Sequence, residues 1–151
     1  MELLELELND EIAAAINGAY GAGTPVMVAY VDGEGYPHMS LRGTAQVFGP
    51  RQLAVWARNP EGGLPSAIAE RPRMSLFYRN PATRETYVFY GRGRIAADDE
   101  TRNAVYESSP QRERELDPDR RGVAVIVELD RVDGVSPDRR FRMESRTPAR
   151  A

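Results

Sequence analysis

From Pro37 to Phe48 the chain reads Pro-His-Met-Ser-Leu-Arg-Gly-Thr-Ala-Gln-Val-Phe, and polar and apolar side chains alternate along it. His38, Ser40, Arg42, Thr44 and Gln46 fall on one side; Met39, Leu41, Gly43, Ala45 and Val47 fall on the other. Successive side chains of an extended chain point to opposite faces, so the pattern predicts one half-buried β-strand with its apolar side on a core. The polar side carries the chain's one histidine and a guanidinium between two hydroxyls. That makes it the strand expected to face a ligand. The plainer reading is a strand with one wet face, which antiparallel sheets commonly have.

Turn signals divide the rest into short elements. Pro25 to Val31 is a continuous apolar run, as for a buried strand, and Asp32-Gly33-Glu34-Gly35 joins it to the alternating stretch as a hairpin. Gly49-Pro50-Arg51 turns into a third strand, Gln52 to Ala57. Asn59 to Pro65 breaks the pattern, and Pro65 suits the first turn of a short helix over Ser66 to Glu70. Strands are predicted at Arg73 to Arg79, at Thr86 to Ala96 and at Val123 to Arg131. Gly91 and Gly93 inside the second of these mark a bulge, a barrel corner or a close backbone approach. Asn9 or Asp10 caps a helix over Asp10 to Asn17, and Asp98 or Asp99 caps one over Asp99 to Glu107; Gln111 to Leu116 is a further short helical piece. Leu4, Leu6 and Leu8 alternate with Glu5 and Glu7, as an edge strand or an arm lying on a partner. Residues 1–135 read as one domain and 136–151 as a polar, Arg-rich tail, with a short strand at Arg139 to Arg142 and disorder in the last residues. Six or so short strands with turn punctuation predict an antiparallel barrel or sandwich, and a six-stranded antiparallel barrel with helices outside is the economical choice.

Composition narrows the chemistry. A chain of 151 residues buries about two-thirds of its unfolded surface and needs no staple. Without cysteine there is no disulfide and no thiolate chemistry, which fits a reducing cytoplasm, the compartment expected here. No signal peptide or membrane span is expected, and a net charge of −3 argues against a nucleic-acid partner. All 20 basic residues are arginine, which rules out a Schiff-base or phosphate-binding lysine. A single histidine rules out a multi-histidine metal site, so no metal is expected. No Gly-x-Ser-x-Gly elbow accompanies it, which argues against a hydrolase triad. His38 is expected either to contact a ring or substrate, or to touch water at a strand start. Gly91-Arg92-Gly93-Arg94 lacks the third glycine and the following helix of a dinucleotide fingerprint.

What remains is anion binding. Arg42, between Ser40 and Thr44, offers fork-shaped donors with hydroxyls beside them. The Asn59–Pro65 loop leads into a helix start, where free N–H groups point outward, and Arg58 stands at its edge. Together they would make a phosphate cradle.

The order of these elements resembles the pyridoxamine 5'-phosphate oxidase-like family, the flavin-binding split β-barrels, over about Ile12 to Val135. The likeness is carried by Thr24-Pro25-Val26, the Asp32-Gly33-Glu34-Gly35-Tyr36-Pro37 hairpin, and Leu53-Ala54-Val55-Trp56. Further carriers are Ile68-Ala69-Glu70-Arg71-Pro72-Arg73-Met74-Ser75-Leu76, Tyr90-Gly91-Arg92-Gly93-Arg94, and the last valine-rich strand ending near Val132-Asp133-Gly134. The resemblance implies a homodimer with two sites for FMN, or in some branches a deazaflavin, at its interface, and oxidoreductase activity on a small molecule. It places the cofactor phosphate against His38, Ser40 and Arg42 of the second strand and against Trp56, Ala57, Arg58, Gly62, Gly63 and Leu64 after the third, with Trp56 near the ring or the interface. It assigns no catalytic acid or base. Where the family usually has Thr, Ser and Lys before the short helix, this chain has Arg58, Gly62 and Leu64. Arg58 would substitute for the lost contacts; without that, the fold implies a non-enzymatic cofactor carrier or a member that has lost tight FMN binding.

Overall fold

The hairpin around residues 32–35 sets the sheet. The computed structural model of the chain describes residues 1–146. Its strands are Glu2–Glu5 (β1), Val26–Val31 (β2), Pro37–Arg42 (β3), Gln46–Gly49 (β4), Gln52–Ala57 (β5), Arg73–Asn80 (β6), Glu85–Ile95 (β7), Val123–Val135 (β8) and Arg140–Glu144 (β9). Its helices are Asp10–Gly18 (α1), Gly63–Glu70 (α2), Asp99–Ser108 (α3) and Gln111–Glu115 (α4). Each follows from a local cause. Asp32 Oδ1 accepts the amides of Glu34 and Tyr36, both at 2.9 Å, and Gly35 takes the positive φ of 88° that closes the β2–β3 turn. Asn9 caps α1 by accepting the Ile12 amide at 2.9 Å, and Asp98 caps α3 by accepting that of Thr101 at 2.8 Å.

The described strands form one nine-stranded sheet in the order β1-β9-β8-β7-β6-β2-β3, with β5 joined to β8 and β4 to β5. Its pairings are antiparallel except that of β1 with β9. The chain is therefore mainly β with flanking helices, as expected, but the sheet is open and mixed rather than six-stranded and antiparallel. Two facts account for the difference. The amino-terminal leucine-rich segment becomes a parallel strand on β9, part of the segment read as a tail. The stretch Pro37 to Phe48 is two strands, because the chain turns at Gly43-Thr44-Ala45. A Cβ at Gly43 would lie 2.6 Å from Glu113 Oε1 and 2.7 Å from the Tyr20 ring, so a larger residue there would displace those side chains. The expected disorder of the last residues concerns 147–151, which lie outside the described residues.

The turn also reverses the faces read from the alternation. β3 is the last strand of its sheet and pairs with β2 alone. Its apolar side points away from the main core, leaving Met39 71% and Leu41 61% exposed. Beyond the turn, Thr44 and Gln46 are buried: the Thr44 hydroxyl bonds the Trp56 backbone, and Gln46 Nε2 bonds the carbonyls of Thr44 and Val105. In β7 the glycines fulfil their reading. The register shifts at Tyr90/Gly91, where a Cβ on Gly91 would overlap the Glu128 carbonyl.

Two apolar clusters lie on either side of β5 and β8. Ile12, Ile16, Val28, Leu53, Val55, Leu64, Ile68, Leu76, Phe89, Val125 and Val127 belong to the larger; Ala54, Trp56, Ala96, Val105, Tyr106, Ala124 and Ile126 form the smaller, beneath α3. Coverage on both faces explains why Leu53–Ala57 and Val123–Val127 are apolar at every position. The smaller cluster anchors the loop after α4. Asp117, 7% exposed, accepts Trp56 Nε1 at 3.0 Å and the amides of Arg121 at 3.0 Å and Gly122 at 2.9 Å. Burial pushes its carboxyl up, but these donors outweigh it and hold the carboxyl below the ordinary aspartate value. No helix of the described residues is long and apolar enough to cross a membrane.

Replacing Asp117 with Ala should lower unfolding free energy by roughly 2–3 kcal/mol near neutral pH, measured by denaturant titration. Because the folded carboxyl titrates below the unfolded one, its contribution is full above about pH 4 and lost as pH falls through the folded value. The gap between wild type and D117N should therefore narrow in acid.

Candidate functional site

Four segments meet at a cavity of about 410 Å³: Arg42 at the end of β3, Ala57 and the loop Arg58-Asn59 after β5, Gly62 to Pro65 at the start of α2, and Leu116, Asp117 and Arg121 after α4. The β5–α2 loop is shaped by Asn59, whose Oδ1 accepts the Glu61 amide at 3.0 Å and whose carbonyl accepts the Gly62 amide at 2.9 Å. That bend delivers Gly62 as the N-cap of α2, with no side chain closing the helix end. Helix geometry then leaves the N–H groups of Gly63 and Leu64 without an intrahelical acceptor, and they sit in the wall of the cavity. Leu64 itself turns into the main core and fixes the helix there.

Electrostatics give the cavity its character. Arg42 is half-buried and folds back along β3, its Nε donating to Ser40 Oγ at 3.1 Å. Burial lowers the Arg42 guanidinium pKa; Tyr30 raises it, Arg58 lowers it and Glu113 raises it, in falling order of size. It stays charged all the same. The cost of burying it and its repulsion from Arg58 are what a bound anion would relieve. Among the described residues neither Arg42 nor Arg58 forms an ion pair, and Arg58 forms no hydrogen bond. Arg121 adds a third cation, paired at 3.6 Å with the exposed Asp119. The one carboxylate in the wall, Asp117, is already committed to three N–H donors.

Of the residues picked out from sequence, Arg42, Ala57, Arg58, Gly62, Gly63 and Leu64 share this cavity, and Ser40 reaches it through Arg42. Three others lie elsewhere. Trp56 is 3% exposed, its ring edge-on to Tyr106 at 5.1 Å and its N–H on Asp117, so it braces the cavity from behind. Thr44 turns inward to the Trp56 backbone and leaves Arg42 with one flanking hydroxyl. His38 belongs to an adjoining hollow of about 380 Å³ lined also by Tyr30, Asp32, Gly63, Ser66, Glu70 and Arg71. There its Nε2 lies 2.7 Å from Asp32 Oδ2 and its ring stacks on Tyr30, 5.0 Å between centroids and 7° between planes.

Asn59, Asp117, Arg121 and Tyr30 were not singled out from sequence. The signal for Tyr30 was available: the turn at 32–35 fixes the register that sets Tyr30 opposite His38. Asp117 and Arg121 lie in the charged stretch 111–121, where nothing local marks one carboxylate for burial.

No protein-family model matches this sequence, and no curated protein does. Solved structures do. An FMN-binding protein from Syntrophomonas wolfei superimposes with a TM-score of 0.66 at 9% identity, over 83% of this chain and 85% of that one. A pyridoxamine 5'-phosphate oxidase-related, FMN-binding protein from Nostoc punctiforme gives 0.65 at 14% identity, over 84% and 82%. A heme-binding protein from Mycobacterium smegmatis gives 0.63 at 18% identity, over 87% of this chain and 57% of that one. Element order, sheet and helix placement agree with the resemblance drawn from the sequence: the chain has the fold of the pyridoxamine 5'-phosphate oxidase-like proteins.

Proposed function

We propose that the cavity between β3, β5 and the start of α2 binds the phosphate of FMN at the boundary between two copies of the chain. On this reading the protein is an FMN-dependent oxidoreductase acting on a small molecule. The observation that carries it is the convergence of Arg42 and Arg58, neither ion-paired among the described residues, on an uncapped helix start. A phosphate monoester suits that donor set: guanidinium groups match its oxygens in pairs, and the amides of Gly63 and Leu64 add directed N–H groups. The FMN-binding proteins that share the fold favour a flavin among phosphate esters. A deazaflavin would present the same kind of anion.

The flavin would supply the redox chemistry, and the chain its binding and orientation. Arg42, steadied by Ser40, and Arg58 would neutralise the phosphate. The loop of Asp117 to Arg121, fastened to Trp56, would close the far side against water.

A non-enzymatic cofactor carrier on the same fold is the second reading. Gly62 and Leu64 stand where the resemblance expects Ser and Lys. Each charge-assisted bond lost weakens binding by roughly ten- to a hundredfold.

The homodimer rests on a separate observation, the apolar outer face of β3, the edge strand whose other face carries Arg42. Leu41 pairs with Met27, which pairs with Phe77, and Met39 pairs with Ala29, so the outer face of β3, β2 and β6 is a continuous apolar patch. Met39, Leu41 and Phe77 (42% exposed) stand out from it. Monomers rarely expose such patches.

The purified protein should show a flavin or deazaflavin absorption band, or acquire one on titration; a colourless protein that takes up neither would overturn the oxidoreductase reading. R42Q and R58Q should each weaken FMN binding at least about tenfold, read by quenching of flavin fluorescence, with riboflavin much less affected. The pair M39E/L41E should convert a dimer to a monomer in light-scattering chromatography; an unchanged mass would remove this face as the interface.

A further inference from the structure

The outer face of the sheet carries a hollow of about 450 Å³ that shares no lining residue with the anion cavity. Its place follows from register. Val26, Val28, Met74 and Leu76 fill the main core, so the residues between them on β2 and β6 face outward. Ala29 and Ser75 are paired on that outer face; Tyr90 lies beyond Ser75, and Val31 pairs with Pro37 to one side. Small side chains flanked by larger ones leave a depression, and all five line it.

A bulge shapes its far wall. Tyr90 pairs with Arg131 and Gly91 with Leu129, which leaves Asp130 without a partner in β7. The two charged residues at the bulge are drawn apart. Arg131 lies over the Tyr90 ring at 4.5 Å and reaches Asp133 at 2.7 Å. Asp130, in the wall of the hollow, accepts Arg92 Nε at 3.3 Å and Arg92 Nη2 at 3.1 Å.

Charge then singles out one residue. Arg73 and Arg92 stand directly opposite each other on β6 and β7, and like charges in that position destabilise a sheet. Asp130 offsets Arg92. Arg73 also lines the hollow, and among the described residues its side chain forms no hydrogen bond and no ion pair. This corner therefore keeps one uncompensated positive charge beside an apolar surface. A single anionic group would relieve the cross-strand repulsion, and Asp130 would turn away a second.

We infer that this hollow is a second small-molecule site, for an apolar or aromatic monocarboxylate whose carboxylate pairs with Arg73 and whose body lies against Val31, Pro37 and Tyr90. Its volume is within the range of about 300–1,000 Å³ typical of small-molecule sites. A guanidinium takes a carboxylate through two parallel N–H bonds, so Arg73 sets orientation as well as charge. The inference goes beyond the phosphate reading of the cavity and does not depend on it.

The test titrates naphthoate into the full chain by calorimetry, with naphthamide and naphthalene dicarboxylate beside it. Wild type, R73Q, S75F and D130N are compared, and thermal unfolding checks the folding of each. Wild type should bind naphthoate, bind the uncharged amide at least about tenfold more weakly, and refuse the dicarboxylate. R73Q should lose the preference for naphthoate over the amide while keeping the wild-type response to FMN. S75F, which fills the centre of the hollow, should lose both ligands, and D130N should admit the dicarboxylate. The inference is overturned if wild type takes up no naphthoate, if R73Q binds it as tightly as wild type, or if FMN displaces it. Unchanged naphthoate binding in R73Q with an altered mass in light-scattering chromatography would give Arg73 to a contact between copies instead. A dicarboxylate that binds wild type as well as naphthoate does, or that D130N still refuses, overturns the part given to Asp130.

Discussion

One carboxylate sets the geometry on which the site depends. Asp32 accepts two backbone amides within its own turn through one oxygen and holds His38 through the other. The first pair of bonds closes the β2–β3 hairpin, and the hairpin register is fixed by the length of its turn. A slip of one residue would send His38, Ser40 and Arg42 to the outer face and Met39 and Leu41 inward. The turn thus decides that the guanidinium of β3 meets the helix start rather than solvent. The bond to His38 ranks first in lowering the Asp32 carboxyl, so the turn stays ionised into mild acid.

Above that hairpin, two glycines let the backbone approach neighbouring side chains closely. Gly43 lets the chain leave β3 between Tyr20 and Glu113, and Gly63 lets α2 settle on Tyr30. Both bring backbone to where side chains would otherwise stand. The result is a cavity whose donors are main-chain amides and arginines, the set on which the proposed phosphate site rests. Among the described residues no group of three or more His, Cys, Asp or Glu side chains is arranged to hold a metal ion.

The sequence was most legible where one local rule acts alone. Capping oxygens marked α1 and α3 to within a residue, an apolar run marked β2, and turn residues marked the start of β5. Gly91 announced its bulge, and Arg42 and Arg58, chosen far apart in the chain, proved to share a cavity. It was least legible where alternation had two solutions. Residues 37–48 alternate throughout, but the break at Gly43 depends on Tyr20 and Glu113, neither of which is near in sequence. Met39 and Leu41 looked like core because periodicity reports two faces without saying which faces inward. Trp56 looked like a ligand contact because its partner, Asp117, is 61 residues away. Long-range pairing of this kind leaves no mark in the local pattern.

β5 and β8, covered on both sides, have a mechanical consequence. One surface of this strand pair carries the main core, and the other grips Trp56, Tyr106 and, through Asp117, the loop that walls the cavity. That wall is in effect bolted through to the interior. Moving it aside would disturb the most deeply enclosed part of the molecule, so on the proposed reading a ligand would enter from the opposite side, past the solvent-facing side chain of Arg58.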